Sequence, residues 1–444
     1  MQFRQFVDDD LGCASYLIGD ESSGEAVVVD PAYSIEPYLA EAEKRHVRVT
    51  RVLETHTHAD HVSGHGRFAL EHDVPVHVHP AAEAEYPHEP LEDGQEISLG
   101  DVKVRVLHTP GHRPEHCCFV VTDGSRGDEP WLVITGDSLL IGDAARPDLA
   151  SEAIEGATGL YGSLQRLLEL PDGVELYPGH VAGSLCGAGM SSKASSTIGF
   201  ERRFNHALNV DQDEFVQERT NSSTPRPPNM DNIVALNRGP FVGAREPLRT
   251  VDSADGASVL DVRRPKAFVA GHVHGAFNVS LSSSSFATKA AFVLTADERV
   301  AIYAESAEDA ETAAQGLRSV GLFNLSYLPH ADTSETIEPI DIAELERLAA
   351  NGPVEILDVR EKNERDEGYI DGTRHMPYRI VRALLEDLPD DRPIVTICSS
   401  GSRASIAASV IASAGMEVHP VLGGGIPEWA ERGGTMVQFR RCGS

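Results

Sequence analysis

Beyond about residue 245 the chain repeats itself, and an internal repeat restricts what a sequence can fold into more than any composition does. Val259-Leu-Asp-Val-Arg263 returns as Ile356-Leu-Asp-Val-Arg360, and Gly271-His-Val-His-Gly275 returns as Gly368-Tyr-Ile-Asp-Gly372, both 97 positions later. Near the end, Ser319-Val-Gly321 returns as Ser413-Ala-Gly415 at an offset of 94. Landmarks sharing nearly one offset predict two copies of one domain, 246–335 and 336–444. Each copy opens on a short buried strand and closes on strand, loop and helix, the order expected of a parallel α/β sheet. The polar run Ala331 to Glu338 reads as the linker between them.

The first 245 residues do not share the repeat, and their chemistry is carried by histidine. Of nineteen histidines, twelve lie between His46 and His116. Alternating strand patterns at Ala14 to Ile18 and Ala26 to Val29 flank a polar turn and predict a hairpin. Further strands are expected at Val47 to Leu53, Val74 to Val78, Val102 to Leu107 and Trp131 to Ile134, with helices near Ile35 to Lys44 and Gly64 to Glu71. Thr55-His-Thr-His-Ala-Asp-His61 then places three imidazoles and a carboxylate at the end of a strand. His112 (in His108-Thr-Pro-Gly-His112), Asp137 (in Thr135-Gly-Asp137) and His180 (in Tyr177-Pro-Gly-His180) follow strand ends in the same way. Such a set can converge on one metal pocket. The remaining front histidines, including His65, His77, His79 and His116, lack a spacing that demands a metal, so structural or solvated roles are expected. Cys117-Cys118 opens an apolar strand and reads as packing. The Pro-rich Asn221 to Asn229 reads as an extension closing this first domain.

These motifs resemble the metallo-β-lactamase superfamily over about residues 1 to 245: the HxHxDH run, the later His, the Asp of TGD and the final His. The resemblance implies an αββα sandwich, and it matches Asp30 in Val-Val-Val-Asp-Pro31 to a structural Asp. The same ligands serve a dinuclear zinc hydrolase or a mononuclear iron oxygenase. Two histidines and one carboxylate with open positions suit Fe(II) and O₂, whereas zinc has no redox chemistry and activates a water instead. Similarity to the persulfide dioxygenases within the superfamily implies iron, one per chain, on His56, His112 and Asp137. His58, Asp60, His61 and His180 would surround it as a vacant second metal position. Arg146, in Gly142-Asp-Ala-Ala-Arg-Pro-Asp148, matches an Arg that meets an anionic substrate. Cys186, in Gly183-Ser-Leu-Cys-Gly-Ala-Gly189, matches a reactive Cys of fused persulfide dioxygenases, against the alternative of a small buried thiol.

In the last copy, Ile394-Val-Thr-Ile397 runs into Cys398-Ser-Ser-Gly-Ser-Arg403 and then into a helical stretch closed by Gly415. A loop curled over a helix N-terminus aims N–H groups and the positive dipole end at its centre, which favours a thiolate and holds an anion. Gly401 allows the tight turn, Arg403 supplies positive charge, and Cys398 becomes a credible nucleophile. With Asp358-Val-Arg360 upstream and Leu422-Gly-Gly-Gly-Ile-Pro-Glu-Trp429 downstream, the loop resembles the rhodanese sulfurtransferases. An offset of 95 aligns Cys398 with Tyr303, Gly401 with Ser306 and Arg403 with Glu308, so the first copy resembles an inactive rhodanese domain.

The whole chain therefore resembles a fusion of a persulfide dioxygenase with tandem rhodanese domains. The fold class is α/β, a sandwich followed by two domains with parallel sheets. The resemblance implies oxidation of a low-molecular-weight thiol persulfide by O₂ to sulfite, with Cys398 passing sulfur to sulfite as thiosulfate. Tethering would keep sulfite near its acceptor. The alternatives are a glyoxalase-II-like zinc thioester hydrolase with an appended sulfurtransferase, and a persulfide-carrying or sensing rhodanese module. Composition removes other classes. The formal charge of −31, with only six Lys, repels phosphate backbones and anionic headgroups, so neither nucleic acid nor a membrane surface is an expected partner. It points to a high-salt cytoplasm. The six cysteines form no disulfide framework, and the N-terminus has no apolar run, so a cytoplasmic location is expected. A homo-oligomer is expected as well.

Overall fold

The computed structural model describes residues 1–147, 152–181, 191, 193–221, 226, 228–351 and 353–438. Cys186, named above as a reactive candidate, lies outside the described residues, as does Asp148 beside Arg146. The chain forms two compact units, one of Met1–Arg245 with Arg318–Gly321, the other of Glu246–Leu317 and the residues from Leu322 onward. No described helix is long and apolar enough to cross a membrane.

The first unit is built on two six-stranded sheets. One takes the first six strands in chain order, Gln2–Val7 through Glu89–Pro90; the other holds Glu96–Leu99, Val102–His108, Cys117–Asp123, Leu132–Gly136, Glu175–Pro178 and Ser196–Thr197. Alternation along each strand sends successive side chains to opposite faces, and both faces of both sheets are buried here. Tyr16, Ile18, Val27 and Val29 meet Val104, Val106, Phe119 and Val121 between the sheets. Leu17, Ala26 and Val28 point outward onto the helices Glu36–Lys44 and His65–His72 through Tyr38, Ala42 and Phe68. Cys118, Val120 and Val133 point the other way onto Leu160, Leu164 and Leu167 of the helix Ala153–Leu167. The result is the αββα sandwich, and Cys117 and Cys118 are packed in its interior.

The second unit contains two parallel sheets with the same strand order. In the first the order is Phe277–Asn278, Ser258–Asp261, Val300–Tyr303, Leu325–Tyr327, with Arg249–Thr250 added at the edge. In the second it is Arg374–His375, Glu355–Asp358, Ile394–Ile397, Val418–Pro420. The repeated Asp-Val-Arg has a physical reason. Arg263 grips Asp261 and donates to the Gly271 carbonyl at 2.8 Å; Arg360 grips Asp358 and donates to the Gly368 carbonyl at 2.8 Å. Each fork fastens the end of the leading strand to the turn after the next helix. The copies also meet through Asn278, whose amide donates to the carbonyls of Asp261 and Arg263 while its Oδ1 accepts from Ser405 at 2.8 Å. The Asn278 backbone N–H donates to Ser409 Oγ at 2.9 Å.

Candidate functional sites

Each candidate ligand of the first unit sits where a strand ends, which is where an α/β scaffold presents side chains to a pocket. His56 follows the strand Arg48–Leu53, His112 follows Val102–His108, and Asp137 follows the last residue of Leu132–Gly136. Gly136 turns there with φ of 47°. Ligand atoms of His56, His112 and Asp137 all lie within 4.8 Å of one another. His56 Nε2 is 4.0 Å and His112 Nε2 3.6 Å from Asp137 Oδ2.

Both imidazoles are aimed by bonds to their other nitrogen. His56 Nδ1 lies 2.8 Å from Thr55 Oγ1, whose hydroxyl donates to Asp30 Oδ2. His112 Nδ1 donates to the Arg146 carbonyl at 2.8 Å. Such contacts fix the tautomer and leave Nε2 as the free donor atom. Burial, reinforced by the neighbouring histidines, pushes His56 well below the ordinary histidine range, and burial likewise lowers His112. Burial opposes ionisation of Asp137, but His180 and His112 outweigh it and hold the carboxyl far below the usual range. Two neutral imidazoles and an ionised carboxylate are the states a metal ion requires, so these residues fit one.

The other sequence candidates divide. His180 bridges two carboxylates, with Nδ1 2.7 Å from Asp137 Oδ1 and Nε2 2.7 Å from Asp60 Oδ2. Asp60 and His61 meet Cys13, whose Sγ is 3.4 Å from Asp60 Oδ2, 3.4 Å from His61 Nδ1 and 3.3 Å from His180 Nε2. Burial, then the charge of Asp60, raises the Cys13 thiol well above its ordinary value. His58 is not brought to this group. Its Nε2 faces Asp30 Oδ1 at 3.4 Å and Glu54 Oε2 at 3.3 Å. Arg146 is buried, and its carbonyl orients His112.

Sequence reasoning did not single out Cys13, Glu54 or a supporting role for His116. Cys13 precedes a strand of the opening hairpin, and no spacing ties it to the HxHxDH run. His116 Nε2 accepts from the Asp137 backbone N–H at 3.0 Å, and burial lowers it to about 3. The only available hint was that His116 follows His112 by four residues.

In the last copy, Ile394–Ile397 delivers Cys398 to the start of the helix Ser402–Ser413. The Gly401 N–H donates to Cys398 Sγ at 3.1 Å, and Gly401 itself sits at φ 93°. Arg403 is forked onto Glu364, with one nitrogen 2.7 Å from Oε1 and 3.4 Å from Ser399 Oγ. The loop's fixed charge is thus paired. In the first copy, Ser306 Oγ accepts from the Asp309 N–H at 3.0 Å and so caps the corresponding helix.

The metallo-beta-lactamase superfamily profile matches residues 8–180, and the rhodanese-like domain profile matches 246–330 and again 341–432. The mitochondrial persulfide dioxygenase of Homo sapiens is 31% identical over 230 residues, covering 50% of this chain and 82% of that protein. The chain belongs to the metallo-β-lactamase superfamily. Its metallo-β-lactamase domain has persulfide dioxygenases as homologues, and rhodanese-like domains occupy its C-terminal part. A cytoplasmic hydroxyacylglutathione hydrolase of Arabidopsis thaliana is 35% identical over 170 residues, covering 37% of this chain and 62% of that protein. Among solved structures, a metallo-beta-lactamase from Staphylococcus aureus superposes with a TM-score of 0.68 at 28% identity, covering 74% of this chain and 99% of that one.

Proposed function

We propose that the chain is a persulfide dioxygenase joined to a sulfurtransferase, with residues 1–245 as the oxidising domain, 246–335 as a catalytically empty rhodanese copy and 336–444 as the active one. The observation that carries the reading is the convergence of His56, His112 and Asp137. Fe(II) held there would supply the reactivity toward O₂ that zinc lacks. The chain's own residues orient the ligands through Thr55 and the Arg146 carbonyl, and His180 keeps Asp137 ionised. The net reaction takes a thiol persulfide, O₂ and water to the thiol, sulfite and two protons.

At the second site, sulfite would attack the outer sulfur of a Cys398 persulfide. The S–S bond breaks, thiosulfate leaves, and Cys398 retains the electron pair as a thiolate. The Gly401 N–H, already directed at Sγ, stabilises that developing charge. The Arabidopsis hydrolase similarity supports a competing zinc thioesterase. Metal analysis of protein purified without oxygen, with O₂ uptake on glutathione persulfide, separates the two. One iron per chain with uptake is expected; two zinc ions with no uptake would overturn the reading.

A further inference from the structure

Arg403 is the one positive side chain in the loop from Cys398 to Arg403, and it is held by a carboxylate that is itself anchored from two other sides. Glu364 Oε2 accepts from the Glu361 N–H at 3.1 Å, and Glu364 Oε1 accepts from Ser399 Oγ at 3.2 Å. The Arg403 fork is the third contact, with one nitrogen 2.7 Å from Oε1. Burial opposes ionisation of Glu364, but Arg403 outweighs it and holds the carboxyl below the usual carboxylate range. The side chains of Arg403 and Glu364 are 19% and 31% exposed, so solvent screens the pair less than it would a surface ion pair. The repeat supplies a second observation. The 97-residue offset that aligns Gly368 with Gly271 aligns Glu364 with Ala267, and Arg403 aligns with Glu308. The first copy lacks both partners, yet it forms the same strand order and the same Asp–Arg fork. The Glu364–Arg403 pair is therefore not needed to build the domain. It accompanies the thiol.

A site that holds a dianion gains most from an unshared guanidinium. An anion arriving at Cys398 instead meets a guanidinium already committed to a carboxylate, and it must share that charge or displace Glu364 from it. Either way its affinity falls, and it falls further for two negative charges than for one. The Gly401 N–H and the N-terminus of the helix Ser402–Ser413 still stabilise the thiolate. We propose that Glu364 is a positioning residue that neutralises Arg403 and so makes the Cys398 site a weak binder of thiosulfate, favouring release of that dianion over its use as a sulfur donor. The step rests on the reading of Cys398 as the sulfur-transfer nucleophile.

The test follows sulfur transfer to cyanide by the full chain, from two donors that differ by one negative charge. Cys398 thiolate takes the outer sulfur of thiosulfate and sulfite leaves; from methanethiosulfonate it takes the corresponding sulfur and methanesulfinate leaves. Cyanide then removes that sulfur as thiocyanate and restores the thiolate. The wild-type KM for thiosulfate should be no lower than that for methanethiosulfonate; a lower one overturns the proposal. Glu364→Gln keeps the shape of the side chain and removes its charge. It should lower KM for thiosulfate by about tenfold, an effect between those of a unit charge in water and at a protein surface, with a smaller fall for methanethiosulfonate and a smaller change in kcat. Glu364→Asp, which retains the charge, should retain the wild-type ratio of the two KM values. A Glu364→Gln ratio equal to that of wild type refutes the proposal, and so does an Asp variant that behaves like the Gln variant. If Glu364→Gln does not fold, the wild-type ratio decides alone. A wild-type chain that passes sulfur from neither donor would instead defeat the sulfurtransferase reading, and the proposal with it.

Discussion

At the scale of single residues, the site is organised by groups that would not touch the metal. Thr55 joins a buried carboxylate to the unused nitrogen of His56. Thr55→Val keeps the volume and breaks both contacts, so metal affinity should fall by about 10- to 100-fold in a chelator competition. An unchanged affinity would assign Thr55 to packing alone. His116 gives a prediction in pH. Its folded value is about 3 against an ordinary 6.5, so the unfolded chain takes up a proton that the folded chain refuses. Between those limits the unfolded state binds more protons, and this histidine's contribution to stability declines as pH falls from about 6.5 toward 3. Urea unfolding of metal-free protein across that range should be less steeply pH-dependent in His116→Gln than in wild type; equal slopes would refute the assignment.

The legibility of the sequence is also clearest at this scale. That His56, His112 and Asp137 converge was legible because each follows a strand end inside a short motif, while singling them out from the larger set rested on the family resemblance. Cys13 and Glu54 were not, because what makes them notable is proximity created by the sheet rather than by spacing. His58 shares the extended HxH segment with His56, which suggested convergence; in the structure its Nε2 lies instead near two buried carboxylates, one of them 28 residues earlier.

At the scale of elements, strand alternation announced the sandwich, and the 97-residue offset announced the paired parallel sheets. The offset persists where an Asp–Arg fork pins strand to turn, and it slips to 94 near the end, after the intervening loops have changed length. What stayed hidden was the joint between copies, since Asn278, Ser405 and Ser409 form no motif. Asn278→Ala would take from the Ser405 hydroxyl its side-chain acceptor and from the Asp261 and Arg263 carbonyls their amide donor, so denaturant titration should register a loss of about 1–3 kcal/mol. The loop after Ile397 is similarly exacting. A methyl on Gly401 would meet the Val421 carbonyl at 3.2 Å while the backbone holds φ at 93°. Gly401→Ala should therefore abolish thiosulfate formation while O₂ uptake continues; retained sulfur transfer would mean that the loop tolerates distortion.

At the scale of the whole molecule, the two chemistries should separate cleanly. Cys398→Ala should consume O₂ at the wild-type rate and accumulate sulfite in place of thiosulfate; unabated thiosulfate would remove Cys398 from the transfer step. The charge of −31 adds self-repulsion that salt relieves, so the melting temperature should climb from dilute buffer to molar KCl. A flat response would detach the acidity from stability.

The Asp–Arg fork carries one last implication. It is present in both copies with the same partners, although the first copy has Tyr303 where the second has Cys398. The first copy keeps the masonry and holds a phenol where the second holds a thiol. On the proposed reading shape and chemistry are inherited on separate terms, with the copy that lacks the thiol serving as the wall against which Ser405 and Ser409 of the other are seated.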